Sequence, residues 1–333
     1  MPHGHTPHLN NLASRSAAFS DYRLCSFPTL SIAGSRIGWI QAGGLVYTVY
    51  VMVPAQTQPA SAVVGQQPLP ISVSVITLNE EQNLARCLKS VAGLAAEIVV
   101  IDSGSADRTA ETARSFGITF ERHPWEGFGP QKNFAVQRCR QRWVLCLDAD
   151  EALSPELAQS IRKLFAAGEP ELAGYWVNRR TWYLGRWIWH AWYPEWRLRL
   201  VRKERSEWRG IEPHPELFVS GPTDRLAGDL FHYPFRDLSE HLQRWLKYGR
   251  IMAEVYAREG RPCHWYDLVF SPPWAFFKRL ILKGGWRDGW RGWIISCASL
   301  IYVFSKYAFL LEKRLTQTED KPAKASPETP TRT

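Results

Sequence analysis

The chain has 333 residues, of which 45% are hydrophobic, so it can bury the core of one large domain or two ordinary ones. Its net charge of +9 and pI of about 9.3 favour anionic partners such as nucleotides, nucleic acid or an acidic membrane surface. The six cysteines form no C-x-x-C pair and do not cluster with histidine. This spacing argues against a zinc site and indicates reduced cysteines in a cytosolic setting.

Residues 1–70 differ in composition from the rest of the chain. They are rich in Ser, Ala, Gly, Pro and Gln and poor in charged residues. Their one apolar run, residues 43–53, is shorter than the roughly 20 residues that a membrane-spanning helix needs. It also lies too far from the N-terminus for an ordinary signal peptide. We therefore predict that residues 1–70 form a disordered extension.

From residue 71 onward, short apolar strands alternate with helices. The predicted strands are residues 71–76, 97–102, 118–121 and 143–147. Leu84 and Leu88 lie on the apolar face of the first predicted helix, with Asn79 as its N-cap. This alternation predicts an α/β fold with a parallel sheet and helices on both faces. Ligands bind such sheets at the carboxyl ends of the strands.

The strand at residues 143–147 breaks off into Asp148, Ala149 and Asp150. Two carboxylates at the ligand edge of a sheet repel each other unless a cation lies between them. Hard cations such as Mg²⁺ or Mn²⁺ prefer oxygen ligands and share them with substrate phosphates. The pattern therefore favours a metal–diphosphate site, with a solvated strand-end turn as the alternative.

Four segments resemble the family 2 glycosyltransferases, which have the GT-A fold. They are VSVITLNEEQNL at 73–84, EIVVIDSGSADRTAE at 97–111, GPQKNFA at 129–135 and the DADE strand end at 148–151. A more local resemblance, carried by RRTWYLGRWIWHAWYPEWRLRLVRK at 179–203, is to bacterial transferases that add β-linked glucose to the lipopolysaccharide inner core. The resemblance implies a GT-A catalytic domain at residues 71–235 with a mostly parallel mixed sheet.

The resemblance also implies a nucleotide-sugar site at the first two strand ends. Leu78, Asn79 and Glu81 would line the base and ribose, and Ser103 would join them. Asp102 would hydrogen-bond the base, or else cap the turn that follows it.

The remaining donor residues would contact the diphosphate and the sugar. Lys132 would contact a phosphate, with an exposed helical lysine as the alternative. Asp148 would contact the ribose or sugar and join Asp150 at a divalent metal, Mg²⁺ or Mn²⁺. Such a metal offsets the charge that grows on the departing nucleoside diphosphate.

Inverting transfer also needs a base for the acceptor hydroxyl, usually a carboxylate. The candidates after the predicted sheet are Glu195, Glu212 and Glu216. Related sequences carry a His-Glu pair here, whereas this chain reads PHPE at residues 213–216. We favour Glu216 as the base and Glu195 second, and a surface glutamate is the alternative for each.

Arginines alternate with apolar residues at Arg197, Arg199 and Arg202, which predicts a strand with one basic face. Arg199 and Arg202 are predicted to hold the diphosphate or an anionic acceptor through bidentate hydrogen bonds. A solvated strand face is the competing interpretation.

The second half of the chain is aromatic and basic. Seven of the 16 tryptophans lie between residues 176 and 208, and residues 236–315 are predicted to be helical and membrane-associating. The apolar run at residues 293–311 contains Lys306, which is costly at the centre of a bilayer. An amphipathic stretch on an anionic membrane surface is therefore favoured over a span, with a hairpin packed on the domain as the alternative. Residues 316–333 are predicted to be a disordered tail.

Together with the resemblance, these features predict an inverting, metal-dependent hexosyltransferase that is peripheral on the cytoplasmic face of the inner membrane. The expected donor is a nucleotide-sugar, UDP-glucose, and the expected acceptor is a lipid-linked saccharide, the lipopolysaccharide inner core. The rival interpretations are transfer to polyprenyl phosphate and a catalytically inactive nucleotide-sugar-binding scaffold at the membrane. A nucleic-acid partner is not expected, because the basic residues form no contiguous recognition motif.

Overall fold

The computed structural model describes residues 31–32, 35–42, 45–51, 67–210, 212 and 215–319. The chain divides into two compact units, Met1–Val64 and Gly65–Thr333. Within the first unit, three strands form an antiparallel sheet: β1 (Ser31–Ile32), β2 (Ser35–Ala42) and β3 (Leu45–Val51). These strands occupy part of the predicted disordered extension. Most of the rest of that extension lies outside the described residues.

The second unit is built on a sheet whose first half is parallel. Its elements are β4 (Leu69–Thr77), α1 (Glu81–Val91), β5 (Ala95–Asp102), α2 (Thr109–Ser115), β6 (Thr119–Arg122), α3 (Phe128–Arg138) and β7 (Trp143–Asp148). The strands lie in the order β6-β5-β4-β7, and all three pairings are parallel. The predicted alternation is confirmed, and the carboxyl ends of four strands meet at one edge, which we call the ligand edge.

The second half of the sheet is mixed. In chain order, the elements that follow β7 are β8 (Glu151–Leu153), α4 (Pro155–Ala166), β9 (Gly174–Tyr183), β10 (Arg186–Trp187), β11 (Glu195–Arg202), β12 (Ser206–Arg209), β13 (Glu216–Val219) and β14 (Thr223–His232). Of these, β12 and β13 form a separate two-stranded ribbon. The sheet continues from β7 in the order β11-β9-β14-β8. Because β11 runs antiparallel to β7, its first residue, Glu195, lies toward the ligand edge.

Apolar side chains cover both faces of the sheet, since successive residues of a strand point to opposite faces. Leu84 and Leu88 of α1 and Leu157 and Ile161 of α4 are fully buried in one cluster. Ala135 of α3 belongs to a second cluster on the opposite face. Each buried leucine stabilises the fold by roughly 1.5–3 kcal/mol. The packed helices on both faces hold the strand ends in place.

The turns after β4 and β5 are tied to each other by Asn79. The predicted N-cap role of Asn79 is wrong, because α1 begins at Glu81 and Asn79 lies in the left-handed region with φ of 55°. From there its side-chain oxygen accepts the N–H of Ala106 at 2.9 Å. Its own N–H donates to the Ser105 hydroxyl at 2.8 Å. Asn79 thus fixes the spacing of two turns at the ligand edge.

Three helices follow the sheet: α5 (Leu238–Arg258), α6 (Trp265–Phe277) and α7 (Trp290–Glu319). Between α6 and α7 lie a turn of π-helix at Lys278–Leu282 and a 3₁₀ turn at Gly285–Asp288. The segment Trp290–Thr316 is long and apolar enough to cross a membrane, with a mean hydropathy of 1.8, and 33% of its most apolar part is buried in the protein. The predicted tail lies outside the described residues from position 320 onward.

Candidate active site

Asp148 stands at the end of β7 between two cations. Its carboxylate is 2.6 Å from the Lys132 ammonium of α3 and 3.0 Å from the Arg199 guanidinium of β11. Burial alone would raise the pKa of Asp148, but Lys132 and Arg199 lower it by more, so that it lies well below its usual range. Asp148 is therefore ionised, and both of its oxygens already have cationic partners.

Asp150 faces a histidine instead. Its carboxylate lies 3.5 Å from Nε2 of His232, at the end of β14. The carbonyl oxygen of Asp150 accepts the N–H of Tyr233 at 2.8 Å, which ties the turn after β7 to the end of β14. Burial acts to raise the pKa of Asp150, but the interaction with His232 lowers it, and the pKa lies below its usual value. An ionised carboxylate and an imidazole thus meet at the ligand edge.

The Asp150–His232 pair fits a divalent cation that is shared with a substrate. Among the described residues, no group of three or more His, Cys, Asp or Glu could hold a metal without help. Mg²⁺ and Mn²⁺ are commonly held by one or two protein groups, with phosphate oxygens and water completing the shell, and imidazole is an accepted ligand for several transition metals. The metal role predicted for Asp148 stays a prediction, and in this structure its two oxygens contact Lys132 and Arg199.

A buried network of ion pairs lies beneath the two aspartates. Glu151 is fully buried, and its carboxylate contacts Arg199 at 2.6 Å and Arg179 at 3.2 Å. Its second oxygen accepts the backbone N–H of Asp148 at 3.0 Å. Glu151 therefore fixes both the backbone and the cationic partner of Asp148. Removing one partner from a buried pair typically costs about 3–5 kcal/mol.

Glu195, the second candidate base, belongs to the same network. Its carboxylate accepts hydrogen bonds from Arg179 at 2.8 and 2.9 Å and from Arg197 at 2.6 Å. Burial would raise the pKa of Glu195, but Arg179 and then Arg197 lower it well below its usual range. Because a general base works best with a pKa near the working pH, this pairing weakens Glu195 as a proton acceptor.

Glu216, the favoured base, has a different environment. It begins β13, is exposed and forms no ion pair with a described residue. Glu212 is occupied elsewhere, since its carboxylate accepts the N–H of Gly129 near the N-terminus of α3 at 3.0 Å. The histidine of the PHPE segment, His214, lies outside the described residues.

One cavity of about 1220 Å³ opens at the ligand edge, and it is larger than the roughly 300–1,000 Å³ of most small-molecule sites. The ligand edge supplies Lys132, Asp148, Asp150 and Arg199 to its wall. The loop before β11, the helix α5 and the turn after α6 complete the wall. Residues from these parts and from the start of β11 are Trp192, Glu195, Arg244, Lys247, Tyr248, Arg279 and Lys283. The cavity has room for a donor and part of an acceptor.

The profile described as Glycosyl transferase family 2 matches residues 72–219. A lipopolysaccharide core biosynthesis glycosyltransferase, LpsC of Rhizobium meliloti (strain 1021), is 32% identical over 257 residues, which cover 74% of this chain and 93% of that protein. An uncharacterised glycosyltransferase of Rickettsia typhi is 27% identical over 255 residues, which cover 73% of this chain and 86% of that protein. The crystal structure of S. aureus TarS 1–349 in complex with UDP-GlcNAc is similar with a TM-score of 0.40 and 12% identity, covering 74% of this chain and 92% of that chain.

The chain belongs to glycosyltransferase family 2. The resemblance to this family and its GT-A type of fold is thereby confirmed. In this transferase, Leu78 and Ser103 line the cavity, and the Leu78 side chain is 48% exposed. The backbone N–H of Ser103 donates to the Thr77 carbonyl at 3.0 Å, so the ends of β4 and β5 remain hydrogen-bonded to each other at the cavity wall.

Asp102 adopts the turn-capping alternative. It is fully buried, and its carboxylate accepts the N–H groups of Gly104 at 3.2 Å and Ser105 at 3.0 Å. It also accepts the Ser105 hydroxyl and lies 3.5 Å from Arg122. A hydrogen bond from Asp102 to the base stays a prediction. Glu81 is likewise engaged outside the cavity wall, since it accepts the N–H of Arg108 at 3.0 Å.

Lys132 is not the exposed helical lysine of the alternative interpretation. Its side chain is 12% exposed and lies 4.3 Å from the ring centre of Trp208, besides contacting Asp148. The neighbouring Asn133 exchanges two hydrogen bonds with the backbone of Trp208, at 2.8 and 2.9 Å. Asn133 therefore anchors β12 to α3, and this contact helps to position the Lys132 side chain in the cavity wall.

The role predicted for Arg202 is wrong. Its guanidinium donates to the carbonyl oxygens of Leu172, at 3.2 Å, and Pro170, and it packs over the Trp143 ring. The cause is the antiparallel course of β11, which pairs Arg202 with Trp143 at the opposite edge of the sheet. Arg199, three residues earlier, lies at the ligand edge as predicted.

Several residues of the site are not predicted by the sequence analysis. His232, Arg179 and Glu151 come from β14, β9 and the start of β8, and only the third acid of DADE signals any of them. Glu80 is a fourth, because its carboxyl lines the cavity. Burial and the neighbouring Asp150 raise the pKa of Glu80 to about 7.

Proposed function

We propose that this transferase moves a sugar from a nucleotide-sugar, UDP-glucose, to a lipid-linked saccharide of the lipopolysaccharide inner core, with inversion at the anomeric carbon. The observation that carries the proposal is the set of charges at the ligand edge. Lys132, Arg199 and the Asp150–His232 pair converge in a cavity that exceeds the needs of a single small ligand. The acceptor class is supported by the likeness to LpsC, which is named for lipopolysaccharide core biosynthesis.

The donor diphosphate would lie against the cations of the ligand edge. Lys132 and Arg199 carry positive charge into the cavity wall, and Arg199 is held there by Glu151. Their charge favours a dianionic group, and Asp148 orients both by binding them. Asp150 and His232 would hold the divalent cation, which when bound offsets the charge developing on the nucleoside diphosphate.

In the proposed reaction, the acceptor hydroxyl oxygen attacks the anomeric carbon from the face opposite the diphosphate. The bond from that carbon to the diphosphate oxygen breaks, and its electron pair leaves with the nucleoside diphosphate. Glu216 takes the hydroxyl proton, because its carboxylate is exposed in the cavity wall and not held by arginines. Glu195, whose oxygens are held by Arg179 and Arg197, would position the acceptor.

We further propose that the enzyme is peripheral on an anionic membrane, at the cytoplasmic face of the inner membrane. Large apolar side chains on α6, α7 and the turns between them are exposed and define the aromatic patch: Trp265, Phe270, Trp274, Leu282, Trp286, Trp290 and Trp293. Lys278, Arg287 and Arg291 lie among them. Tryptophan favours the headgroup region, and bases favour anionic lipid. The opposite face of α7 buries Ile295 and Leu310, so one helix packs inward and presents this patch outward.

The proposed function is tested with a donor screen on the purified protein. UDP-, GDP- and dTDP-sugars are offered with Mg²⁺ or Mn²⁺ and extracted lipopolysaccharide core, and nucleotide release is measured. We expect UDP-glucose to be preferred and EDTA to abolish release. Asp150→Ala should weaken metal-dependent UDP-glucose binding by at least about 10–100-fold, because loss of a group that only supports a metal ligand already has an effect of this size.

Asp224→Ala, an exposed aspartate on β14, is the matched control and should bind the donor normally. Unchanged donor affinity in Asp150→Ala would remove the metal role. Donor binding without turnover on the core or on polyprenyl phosphate would identify a nucleotide-sugar-binding scaffold. Turnover on polyprenyl phosphate alone would reassign the acceptor.

A further inference from the structure

The cavity wall also contains an arginine on an unusual turn. After α6 the chain forms a turn of π-helix, in which the N–H of Lys283 donates to the carbonyl of Lys278 at 2.9 Å. Such turns are rare and occur often at functional sites. This one brings Arg279 and Lys283 to the cavity wall, while Ile281 and Leu282 are exposed to solvent.

Arg279 is partly buried and has a backbone carbonyl as its hydrogen-bond partner. Its guanidinium donates to the carbonyl oxygen of Ala191 at 2.7 Å, and it forms no ion pair with a described residue. Glu195, whose charge acts on Arg279, is already paired with Arg179 and Arg197. Burial lowers the pKa of Arg279, and the attraction of Glu195 offsets only part of that effect. A buried cation with an incomplete counter-charge is stabilised by an added anion.

The loop whose Ala191 carbonyl accepts the hydrogen bond from Arg279 is held in place by Asp288. The carboxylate of Asp288 accepts the backbone N–H groups of Trp189 at 3.0 Å, His190 at 3.1 Å and Ala191 at 2.7 Å. Arg279 and the loop before β11 are therefore fixed to each other before any ligand arrives. A preorganised cation loses little conformational entropy on binding.

The surroundings of Arg279 suit a charged sugar. Lys247 of α5 and Lys283 line the same cavity, as do the rings of Trp192 and Tyr302. Aromatic rings provide apolar faces for sugar rings. The cations at the ligand edge differ, because Lys132 and Arg199 are already bound to Asp148.

We propose that Arg279, with Lys283 and Lys247, forms a subsite for an anionic group on the acceptor saccharide, a phosphate or a carboxylate. The subsite rests on the proposed function, since it assumes that the ligand edge holds the donor. The exposed Leu282 on the same turn belongs to the aromatic patch proposed to meet the membrane. The anionic group would therefore lie on the part of the acceptor nearest its lipid anchor.

The test measures sugar binding to the full chain with UDP and Mg²⁺ present, so that the donor site is occupied. The probes are glucose 6-phosphate, glucuronic acid and glucose, and dissociation constants come from ligand-observed NMR titrations. We expect at least one anionic sugar to bind about 10-fold or more tightly than glucose, as a charge-assisted hydrogen bond would give. Glucose 6-phosphate alone would identify a phosphate, and glucuronic acid alone a carboxylate.

Arg279→Met should abolish the preference for the anionic sugar, and Arg279→Lys should restore part of it. Lys278→Met is the matched control, because it removes the same charge from an adjacent exposed residue that does not line the cavity. UDP affinity, measured first in each sample, shows that a variant is folded. Equal binding of glucose, no binding of any probe, or a preference that survives in Arg279→Met would overturn the subsite. Failure of UDP to bind the wild-type protein would instead overturn the proposed donor site.

Discussion

The ligand edge of the sheet and the helical C-terminal region are both rich in charge, but their charges are compensated differently. At the edge, Asp148, Glu151 and Glu195 each contact at least one cation of the same chain. In the helical region, Arg279 has no ion pair with a described residue, and Lys283 is exposed among apolar side chains. Pairing fixes the positions of the ligand-edge cations that are proposed to bind the diphosphate, whereas the less compensated cations of the helical region favour a second anion from outside the chain.

The largest expected effect concerns Glu216, a cavity-wall carboxylate that forms no ion pair with a described residue. Glu216→Gln should lower kcat by about 10²–10⁴-fold and leave donor binding unchanged, because an amide cannot accept the hydroxyl proton. Steady-state kinetics measure kcat, and a UDP-glucose binding assay measures donor affinity. Glu195→Gln should retain more turnover, since the pKa of Glu195 is held low by its arginines. The opposite ranking of the two variants would transfer the base role to Glu195.

Breaking the buried network of ion pairs around Glu151 should lower the stability of the fold. Glu151→Gln leaves Arg199 and Arg179 without their buried partner and should lower the free energy of unfolding by about 3–5 kcal/mol. Urea unfolding followed by circular dichroism measures the change. Glu204→Gln removes a 47% exposed carboxylate that contacts Arg142 and should cost less than about 1 kcal/mol. Equal losses would show that burial of the network contributes little.

A histidine at the junction of the two regions links stability to pH. His241 of α5 is fully buried, and its Nδ1 atom lies 2.7 Å from the hydroxyl of Tyr183. Burial lowers the pKa of His241 to about 4. Unfolded histidine titrates near pH 6.5, so below that pH the unfolded chain binds a proton that the folded chain excludes. This contribution is fully present above about pH 6.5 and is lost as the pH falls toward 4, by about 3 kcal/mol in total.

His241→Gln should therefore flatten the pH dependence of unfolding between pH 6.5 and 4, measured in urea at several pH values. His264→Gln, which changes an imidazole that is 47% exposed, should leave the slope as in the wild type. An unchanged slope in His241→Gln would assign the acid sensitivity to other groups.

The smallest expected effect lies on the aromatic patch. Trp286 and Trp290 are 62% and 56% exposed, and replacing both with Ser should weaken binding to vesicles containing phosphatidylglycerol by about 10-fold, through lost apolar contact. Vesicle co-sedimentation measures the change. Trp125→Ser, a 45% exposed tryptophan near the ligand edge, is the control and should bind vesicles normally. Equal binding by all three proteins would place membrane contact elsewhere.

Local patterns were sufficient for the elements of the sheet and for part of the site. Strand and helix periodicity placed β4, α1, β5 and β7, because burial of one face imposes the pattern on neighbouring residues. The same reasoning brought Asp148 and Asp150 to the ligand edge. Sequence spacing also placed Arg199 there, but it failed three residues later at Arg202, since it contains no information on the direction of β11.

The sequence by itself determined the strand–helix alternation, the family and the position of the two aspartates, since each depends on residues close together in the chain. Only the tertiary structure decided which groups these aspartates meet. Asp148 received Lys132 and Arg199, Asp150 received His232, and Glu195 received Arg179, across separations in sequence that no local pattern records. Electrostatic interaction acts over a few ångströms in space, so partner choice follows from how β11, β9 and β14 pair.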